Sequence, residues 1–385
     1  MVVVYYTQTY FLDGVLETIQ SLKRVSELHL LIEISPESKK STVVDVPSLE
    51  QFATIEHWTS VLDETMCSRL SPYFEGIKSI HFVVHKSPHA LSPSSLIVSS
   101  KVIQFVNRIS PTLIHFDTVS VRSIGLLPLI SKYRIDITVH DPVSHSGEHS
   151  WKTNFTKWLF YKKAKHLFFY SAFAENQFRQ NYTNVERKSS LLHFQPFSFI
   201  RTYQPLLSNR SDYILFFGRM SPYKGIDILL DAIPAVLSKY PAAKFVLAGS
   251  AEYLSCDHDT LIKHSSSVSF ITDYLSISTL ANLIAHAQFI VCPYRDATQS
   301  GVLMTAFALG KTVLATHVGA FPEYIRDKHD GFLIEPNHSA LSIAISKLLS
   351  ANYYLELQAN VNPLFSSSYD IQNQQSFLGA YLQHT

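Results

Sequence analysis

The chain has 385 residues, 46 % of them hydrophobic and 16 % charged, with a formal net charge of +1. That length exceeds one ordinary domain and suits two, and the near-neutral balance excludes the basic footprint of a general nucleic-acid binder. An aromatic share of 12 % excludes a disordered chain.

The opening MVVVYYTQTY is a short apolar run with no basic segment before it and no small-residue cleavage site. It predicts a first β-strand and not a secretory leader. No apolar stretch approaches the ~20 residues needed to cross a bilayer. Cys67, Cys256 and Cys292 stand far apart and form no CxxC pair, so a reducing, cytoplasmic setting is expected.

Further along, LHLLIEI, IHFVV, LIHFD, DITVH and HLFFYS read as buried strands in the first half, and DYILFFG, KFVLAG, VSFIT, FIVCPY, TVLAT and GFLIE in the second. Helical patterns separate them, which predicts parallel sheets covered on both faces. So many strands exceed one sheet of ordinary size, and two α/β domains are expected. The boundary falls in FQPFSFIRTYQPLLSNRSD, which carries Pro196 and Pro205 and ends in a polar cluster. The expected division is 1–195, 206–365 and a C-terminal helix in 366–385.

Ligands of open α/β sheets bind beyond the carboxyl ends of strands, so the turns after strands carry the functional reading. In TQTYFLDGVLETIQSL, Gly14 stands just before a helix, and Asp13-Gly14 reads as an ordinary turn. In DITVHDPVSHSGEHSW, His140 and Asp141 end a strand and Pro142 bars a helix. His145, Glu148 and His149 crowd the following loop. His and Glu can ligate metals, but no helical His-x-x-x-His pair with its glutamate is present, so no metal is predicted. The segment WKTNFTKWLFYKKAKHLFFYS, 151–171, mixes Lys152, Lys157, Lys162, Lys163 and Lys165 with Trp151, Phe155, Trp158, Leu159 and Phe160. Such a helix suits an anionic membrane surface. The alternative is a core-facing helix with a solvated lysine face.

Two turns in the second half point to a phosphate. In DYILFFGRMSPYKGIDILLDAI, Gly218 turns the chain after a strand, Arg219 follows, and Lys224 precedes Gly225 and a helix. An Arg fork and a Lys point charge in one turn suit a diphosphate. The alternative is a solvated turn with surface cations. In PYRDATQSGVLMTAFALGK, the loop 296–300 leads into a helix that Gly301 opens and Gly310 ends. The amides of Ser300, Gly301 and Val302 would face an anion. Ser300 or Thr298 would cap the same helix, which is compatible with anion binding.

Between about Tyr213 and Pro336 the chain resembles glycosyltransferase family 4. The resemblance rests on GRMSPYKGIDILLDA, KFVLAGS, FITDYLS, IVCPYRDATQSGVLMTAFALGK, VGAFPEYI and DGFLIEP, in that order and spacing. It implies an α/β fold of the GT-B type, with two facing Rossmann-like domains and parallel sheets. It also implies a retaining sugar transferase whose nucleotide-sugar donor is held mainly by the C-terminal domain. By resemblance Arg219 and Lys224 grip the donor diphosphate, Ser300, Gly301 and Val302 face its phosphates, and Tyr274 lies where the family's chain passes the base. His140 matches a histidine that faces the donor sugar. Gly14 would belong to an acceptor-side loop, with His145 and Glu148 nearby, and the tail helix would cross back to the first domain.

One departure stands out. Many members carry two glutamates around the 296–305 loop, one on the donor sugar and one on the ribose. Ala297 and Thr305 occupy those positions here. Thr305 can still hydrogen-bond a ribose, and Asp296 is one place removed. The expected function is transfer of a sugar from a UDP- or GDP-sugar to a glycan or lipid-linked acceptor. Bacterial surface polysaccharide or glycoconjugate synthesis is the implied setting, with no metal or other cofactor. The expected location is cytoplasmic, with peripheral contact to the inner face of the membrane through 151–171. The alternatives are an epimerase of the same fold and a non-catalytic sugar-nucleotide-binding partner.

Overall fold

The computed structural model describes residues 1–143, 150–185, 187–203, 213–250, 266–273, 275–361 and 366–382. The chain divides into two compact units. Unit 1 contains the described residues up to Val143, those from Ser150 to Gln195, and the last helix, Ser366–Leu382. Unit 2 contains the described residues from Pro196 to Val361.

Unit 1 is built on β1 (Val2–Gln8), β2 (Glu27–Ile34), β3 (Ile55–His57), β4 (Ser79–Val84), β5 (Leu113–Phe116), β6 (Arg134–Thr138), β7 (His166–Phe169) and β8 (Lys188–Leu191). They form one sheet in the order β3-β4-β2-β1-β5-β6-β7-β8. Every pairing is parallel except β3 on β4. The central strands are apolar throughout because helices cover both faces; Val3, Val4, Tyr5, Leu30, Leu31 and Ile32 are fully buried. The sequence reading missed β3 and β8. Both lie on sheet edges, and β8 reads KSSL, whose residues are exposed or half-buried. An edge strand keeps one flank in water and does not need the apolar run that marks a central strand.

Unit 2 has β9 (Tyr213–Phe217), β10 (Phe245–Ala248), β11 (Val268–Ile271), β12 (Ala287–Cys292), β13 (Val313–Thr316) and β14 (Gly331–Ile334). All pairings are parallel, in the order β11-β10-β9-β12-β13-β14. These six are the strands predicted for the second half.

Strand order decides where each unit can bind. In unit 2 the chain winds outward from β9 to β11, then returns to start again at β12 beside β9. In unit 1 it winds from β1 through β2 to β4, then restarts at β5 beside β1. At each reversal the two connections leave in opposite directions and open a crevice beyond the carboxyl ends of the strands. The crevice of unit 2 lies after Phe217 and Cys292. That of unit 1 lies after Gln8 and Phe116.

The last helix is clamped into unit 1. Phe377 and Tyr381 are fully buried. The Phe377 ring packs 5.1 Å from that of Phe168 and 5.9 Å from His115. The Tyr381 hydroxyl lies 2.7 Å from His115 Nδ1. Arg134 donates to the carbonyls of Ala380 at 2.9 Å and Tyr381 at 3.1 Å, which satisfies acceptors left open at a helix end. Asn373 exchanges hydrogen bonds with the backbone of His193 at 2.7 and 3.0 Å. Phe377→Ala is therefore expected to lower the stability of unit 1 by about 3–5 kcal/mol. Urea unfolding, followed on the transition that belongs to unit 1, measures this.

Candidate functional site

The carboxyl end of β9 in unit 2 is shaped by two glycines and a lysine. Gly218 has φ of +109° and Gly225 of +63°, backbone angles that other residues rarely adopt. A methyl group on Gly225 would lie 2.0 Å from the Pro293 carbonyl oxygen, so the turn after β9 touches the turn after β12 backbone to backbone. A methyl group on Gly218 would lie 2.8 Å from Lys224 Nζ and 3.3 Å from Val302 Cγ2. The Lys224 ammonium is thus folded back over Gly218, beside the first turn of helix Gly301–Ala308. Lys224 is only 8 % exposed. Its Nζ sits 5.3 Å from the Tyr294 ring centre and 6.0 Å from that of Tyr223, within or at the edge of cation–π range. Arg219 is exposed at the same turn. Burial pushes the Cys292 thiol up to about 12, with Lys224 pulling the other way, so this cysteine is neutral and unreactive.

The second turn is held against the first by Arg295. Its backbone N–H donates to Tyr223 O at 2.7 Å, and Nη1 donates to Pro222 O at 3.0 Å and Asp227 Oδ1 at 2.8 Å. The Arg295 hydrogen bonds hold the Asp227 carboxyl below its usual range. Ser300 caps helix Gly301–Ala308, accepting from Leu303 N at 3.2 Å. With Leu303 satisfied, the amides of Gly301 and Val302 are the helix donors left for an anion. The Phe197 ring supports this helix start, lying 3.1 Å from where a Gly301 methyl would be.

The positions that replace the expected acids are both turned inward. Ala297 is 1 % exposed, and its carbonyl accepts from Ala320 N at 2.7 Å. Gly319 packs so close that a methyl there would lie 1.9 Å from Ala297 O. Thr305 is 7 % exposed and donates to Gly301 O at 2.7 Å. Its proton is spent on the helix, which leaves only lone pairs for a ribose hydroxyl. Thr298 is buried and Asp296 half-buried. Tyr274, His145, Glu148 and His149 lie outside the described residues.

In unit 1 the crevice holds a histidine beside a buried acid. His140 follows β6 and Asp117 follows β5; Nε2 of His140 lies 3.2 Å from Asp117 Oδ1. Asp117 is fully buried and accepts from Tyr5 Oη at 2.7 Å and Thr7 Oγ1 at 2.9 Å. Burial, the largest influence, would lower the His140 pKa, but Asp117 and, to a lesser extent, Asp141 together hold the imidazole above its ordinary value. Burial would raise Asp117, and His140 with the Tyr5 and Thr7 hydroxyls holds it below the usual range instead. The Phe11 ring packs 4.4 Å from His140 and the Tyr170 ring 5.5 Å. Asp13 lies in the first turn of helix Leu12–Leu22, where burial pushes its carboxyl up to about 6, opposed by Gly14 and His140. Gly14 sits inside that helix rather than before it, its N–H donating to Asp13 Oδ1 at 2.9 Å.

The sequence reading did not single out Asp117, Arg295 or Tyr294. The signal for Asp117 was present, an acid ending an apolar strand in LIHFD. Arg295 acts through a partner 68 residues away, which no local pattern discloses.

Residues 211–351 match the model of the family described as Glycosyl transferases group 1. An uncharacterised glycosyltransferase of Methanocaldococcus jannaschii is 30 % identical over 135 residues, which cover 34 % of this chain and 37 % of the relative. A GDP-mannose:glycolipid 4-beta-D-mannosyltransferase of Xanthomonas campestris pv. campestris is 28 % identical over 102 residues, 26 % of this chain and 29 % of that protein. The chain spans about a third of the length of the curated relatives it matches. Among solved structures, Anabaena HepE in complex with UDP-glucose aligns with a TM-score of 0.64 at 16 % identity, over 98 % of this chain and 99 % of that one. The fold is GT-B. Within this GT-B chain, both turns of the Lys224 cradle fall inside the matched segment.

Gly218→Ala tests the cradle without removing a charged group. The added methyl must displace the Lys224 ammonium, so UDP or GDP affinity is expected to fall about tenfold or more, the loss of roughly one charge-assisted contact. Isothermal titration calorimetry measures it, and unchanged affinity would separate Lys224 from nucleotide binding.

Proposed function

We propose that this chain is a retaining, metal-independent glycosyltransferase that moves a sugar from a UDP- or GDP-sugar to a hydroxyl of a glycan or lipid-linked acceptor. The observation that carries the reading is the buried Lys224 ammonium over Gly218, beside the capped start of helix Gly301–Ala308. A lysine and two helix amides converge there, and the segment matches a glycosyltransferase family. The similarity to HepE, whose structure holds UDP-glucose, and to a GDP-mannose transferase supports a nucleoside-diphosphate sugar as donor.

In the proposed reaction the bond between the sugar C1 and the diphosphate oxygen breaks, and the acceptor oxygen bonds to C1 on the same face. The acceptor proton passes to the departing diphosphate, so no separate base is required. Negative charge grows on the leaving oxygens as the bond breaks. Lys224 and the Gly301 and Val302 amides are preorganised for that charge, and the burial of Lys224 strengthens its effect. Arg219 adds a bidentate donor at the same turn, and His140 attends the sugar. With Ala297 and Thr305 turned inward, the half-buried Asp296 is the acid of this loop that we assign to the donor.

A second proposal concerns helix Trp151–Lys163. Its buried side is Thr156, Phe160 and Tyr161. Trp151, Phe155 and Trp158 are 75, 50 and 37 % exposed, on the opposite side. Lys152, Lys162, Lys163 and Lys165 are exposed around them, with Lys162 Nζ 4.3 Å from the Trp158 ring centre. Lys157 is different: it turns inward and donates to Asp141 O at 3.0 Å. No acid lies in 151–171. Aromatic groups facing water amid lysines fit the interface of an anionic bilayer. None of the helices among the described residues is long and apolar enough to cross a membrane. We therefore place the protein at the inner face of the membrane as a peripheral enzyme of surface polysaccharide or glycoconjugate synthesis.

Two measurements check these proposals. A thermal-shift screen with UDP-glucose, GDP-mannose and ADP-glucose identifies the donor by mass action. With that donor, Lys224→Ala is expected to reduce transfer by roughly 100- to 1,000-fold while the melting temperature of the free protein stays close to wild type. Full activity in that variant would remove Lys224 from the site, and donor binding without turnover across acceptors would favour a non-catalytic partner. Separately, the wild type is expected to sediment with vesicles rich in phosphatidylglycerol and not with phosphatidylcholine alone. The triple variant W151S/F155S/W158S should lose most of that binding.

A further inference from the structure

We propose that helix Trp151–Lys163 is one edge of a wider docking face for an anionic phospholipid bilayer, and that helix Pro93–Ile109 is its second anchor. The inference rests on the membrane reading above and extends it to a part of unit 1 that reading does not use.

Three neighbouring elements make the face continuous. Helix Pro93–Ile109, the short helices Val121–Leu126 and Leu127–Lys132, and helix Trp151–Lys163 lie side by side over one face of the unit 1 sheet. Val102 and Val106 of the first, Leu126 and Leu129 of the second, and Phe160 and Tyr161 of the third share a single core. The chain at Gly125 closes the join with the first helix. A methyl group there would lie 2.1 Å from Ser99 Oγ and 3.8 Å from Leu96 Cδ2. Further along, Lys132 Nζ donates to Asn107 Oδ1 at 2.7 Å.

The outer side of this layer keeps apolar groups in water. Leu96 and Ile97 are 47 and 58 % exposed, and Leu91, just before the helix, is 48 % exposed. The helix already turns Val98, Val102 and Val106 inward, so packing within the unit does not account for Leu96 and Ile97. In the middle element Ile124 and Leu127 are half-buried and Pro128 is exposed. A lone exposed apolar residue is ordinary, but a patch carried across three adjoining elements marks an interaction surface. Leu91, Leu96, Ile97, Trp151 and Phe155 stand before or on the first two turns of their helices. Each helix follows a strand of the parallel sheet, so these turns lie at its carboxyl edge, where the crevice of unit 1 opens. Docking through them sets that crevice beside the headgroups.

Charge selects the occupant. Residues 76–174 hold twelve Lys and Arg against four acids, in a chain whose net charge is +1. Asp117 and Asp136 are fully buried, Asp141 is half-buried, and Glu148 lies outside the described residues, so no described acid of this stretch is exposed. Lys101, Arg108 and Lys132 are exposed on the first two elements, as Lys152, Lys162 and Lys163 are on the third. A second copy of the chain would bring the same positive charge to a shared contact and be repelled. An anionic bilayer meets both features at once: its headgroups take the cations, and its acyl boundary takes the leucine, isoleucine and tryptophan side chains.

The experiment uses the full chain and vesicles of phosphatidylglycerol in phosphatidylcholine, with sedimentation read over a range of lipid concentrations. L96S/I97S leaves Trp151, Phe155 and Trp158 in place and should weaken binding about tenfold. K101E/R108E should weaken it about tenfold or more. All four side chains are exposed, so both variants are expected to melt with the wild type. I371S is the control. Ile371 is 52 % exposed on the last helix, which packs on the opposite face of the sheet, and its loss should leave binding unchanged. Wild-type binding by L96S/I97S and by K101E/R108E confines docking to helix Trp151–Lys163 and overturns the proposal. So does an equal loss in I371S, which marks unspecific adhesion. A dimer that forms without vesicles and that L96S/I97S dissolves gives the face to a second copy and overturns it as well. A wild type that binds no vesicle ends both membrane readings, and the transferase reading is then decided separately by the Lys224→Ala assay.

Discussion

A buried ammonium beside a helix start is the constraint around which unit 2 is arranged. Lys224 is nearly out of water, and a charge so placed needs compensation. The Tyr294 and Tyr223 rings supply part of it, at 5.3 and 6.0 Å from Nζ. To bring Nζ over the backbone at residue 218, that residue cannot carry a side chain. To bring the two turns together, residue 225 cannot either. Arg295 then ties the second turn to the first through two backbone carbonyls and Asp227. Each element exists because the previous one has to be held, and the result is a cluster of donors at the strand-order reversal where an open α/β sheet admits a ligand.

Unit 1 solves a related problem with opposite parts. At its own reversal it buries an anion, Asp117, and satisfies it with two hydroxyls. The His140 ring lies beside that carboxylate, with Nε2 3.2 Å from Asp117 Oδ1.

Much of the fold was legible because parallel strands covered on both faces must be continuously apolar. The runs from MVVVYY to GFLIE announced themselves for that reason. The edge strands β3 and β8 did not, since water on one flank removes the need for the pattern. The cradle was legible where glycines and cations cluster within one turn, as in GRMSPYKG. It was illegible where a residue acts across the chain, as Arg295 does on Asp227 and Asp117 on His140. Composition also could not tell which side of helix Trp151–Lys163 faces water. The mix of lysines and aromatics fitted either a membrane-facing or a core-facing helix; the core takes Thr156, Phe160 and Tyr161, and Lys157 turns inward to a carbonyl. Ala297 and Thr305 looked like missing site residues. One is packed beneath Gly319 and the other has its hydroxyl proton bound within its own helix.

The central claim is that the turns after β9 and β12 form a single diphosphate site. Calorimetric titration of the full chain with UDP and UMP, and with GDP and GMP, tests it most directly. A site built from Lys224, Arg219 and two helix amides predicts that the matching nucleoside diphosphate binds at least about tenfold more tightly than its monophosphate. Equal affinity for the two, or no binding of either diphosphate, would contradict it.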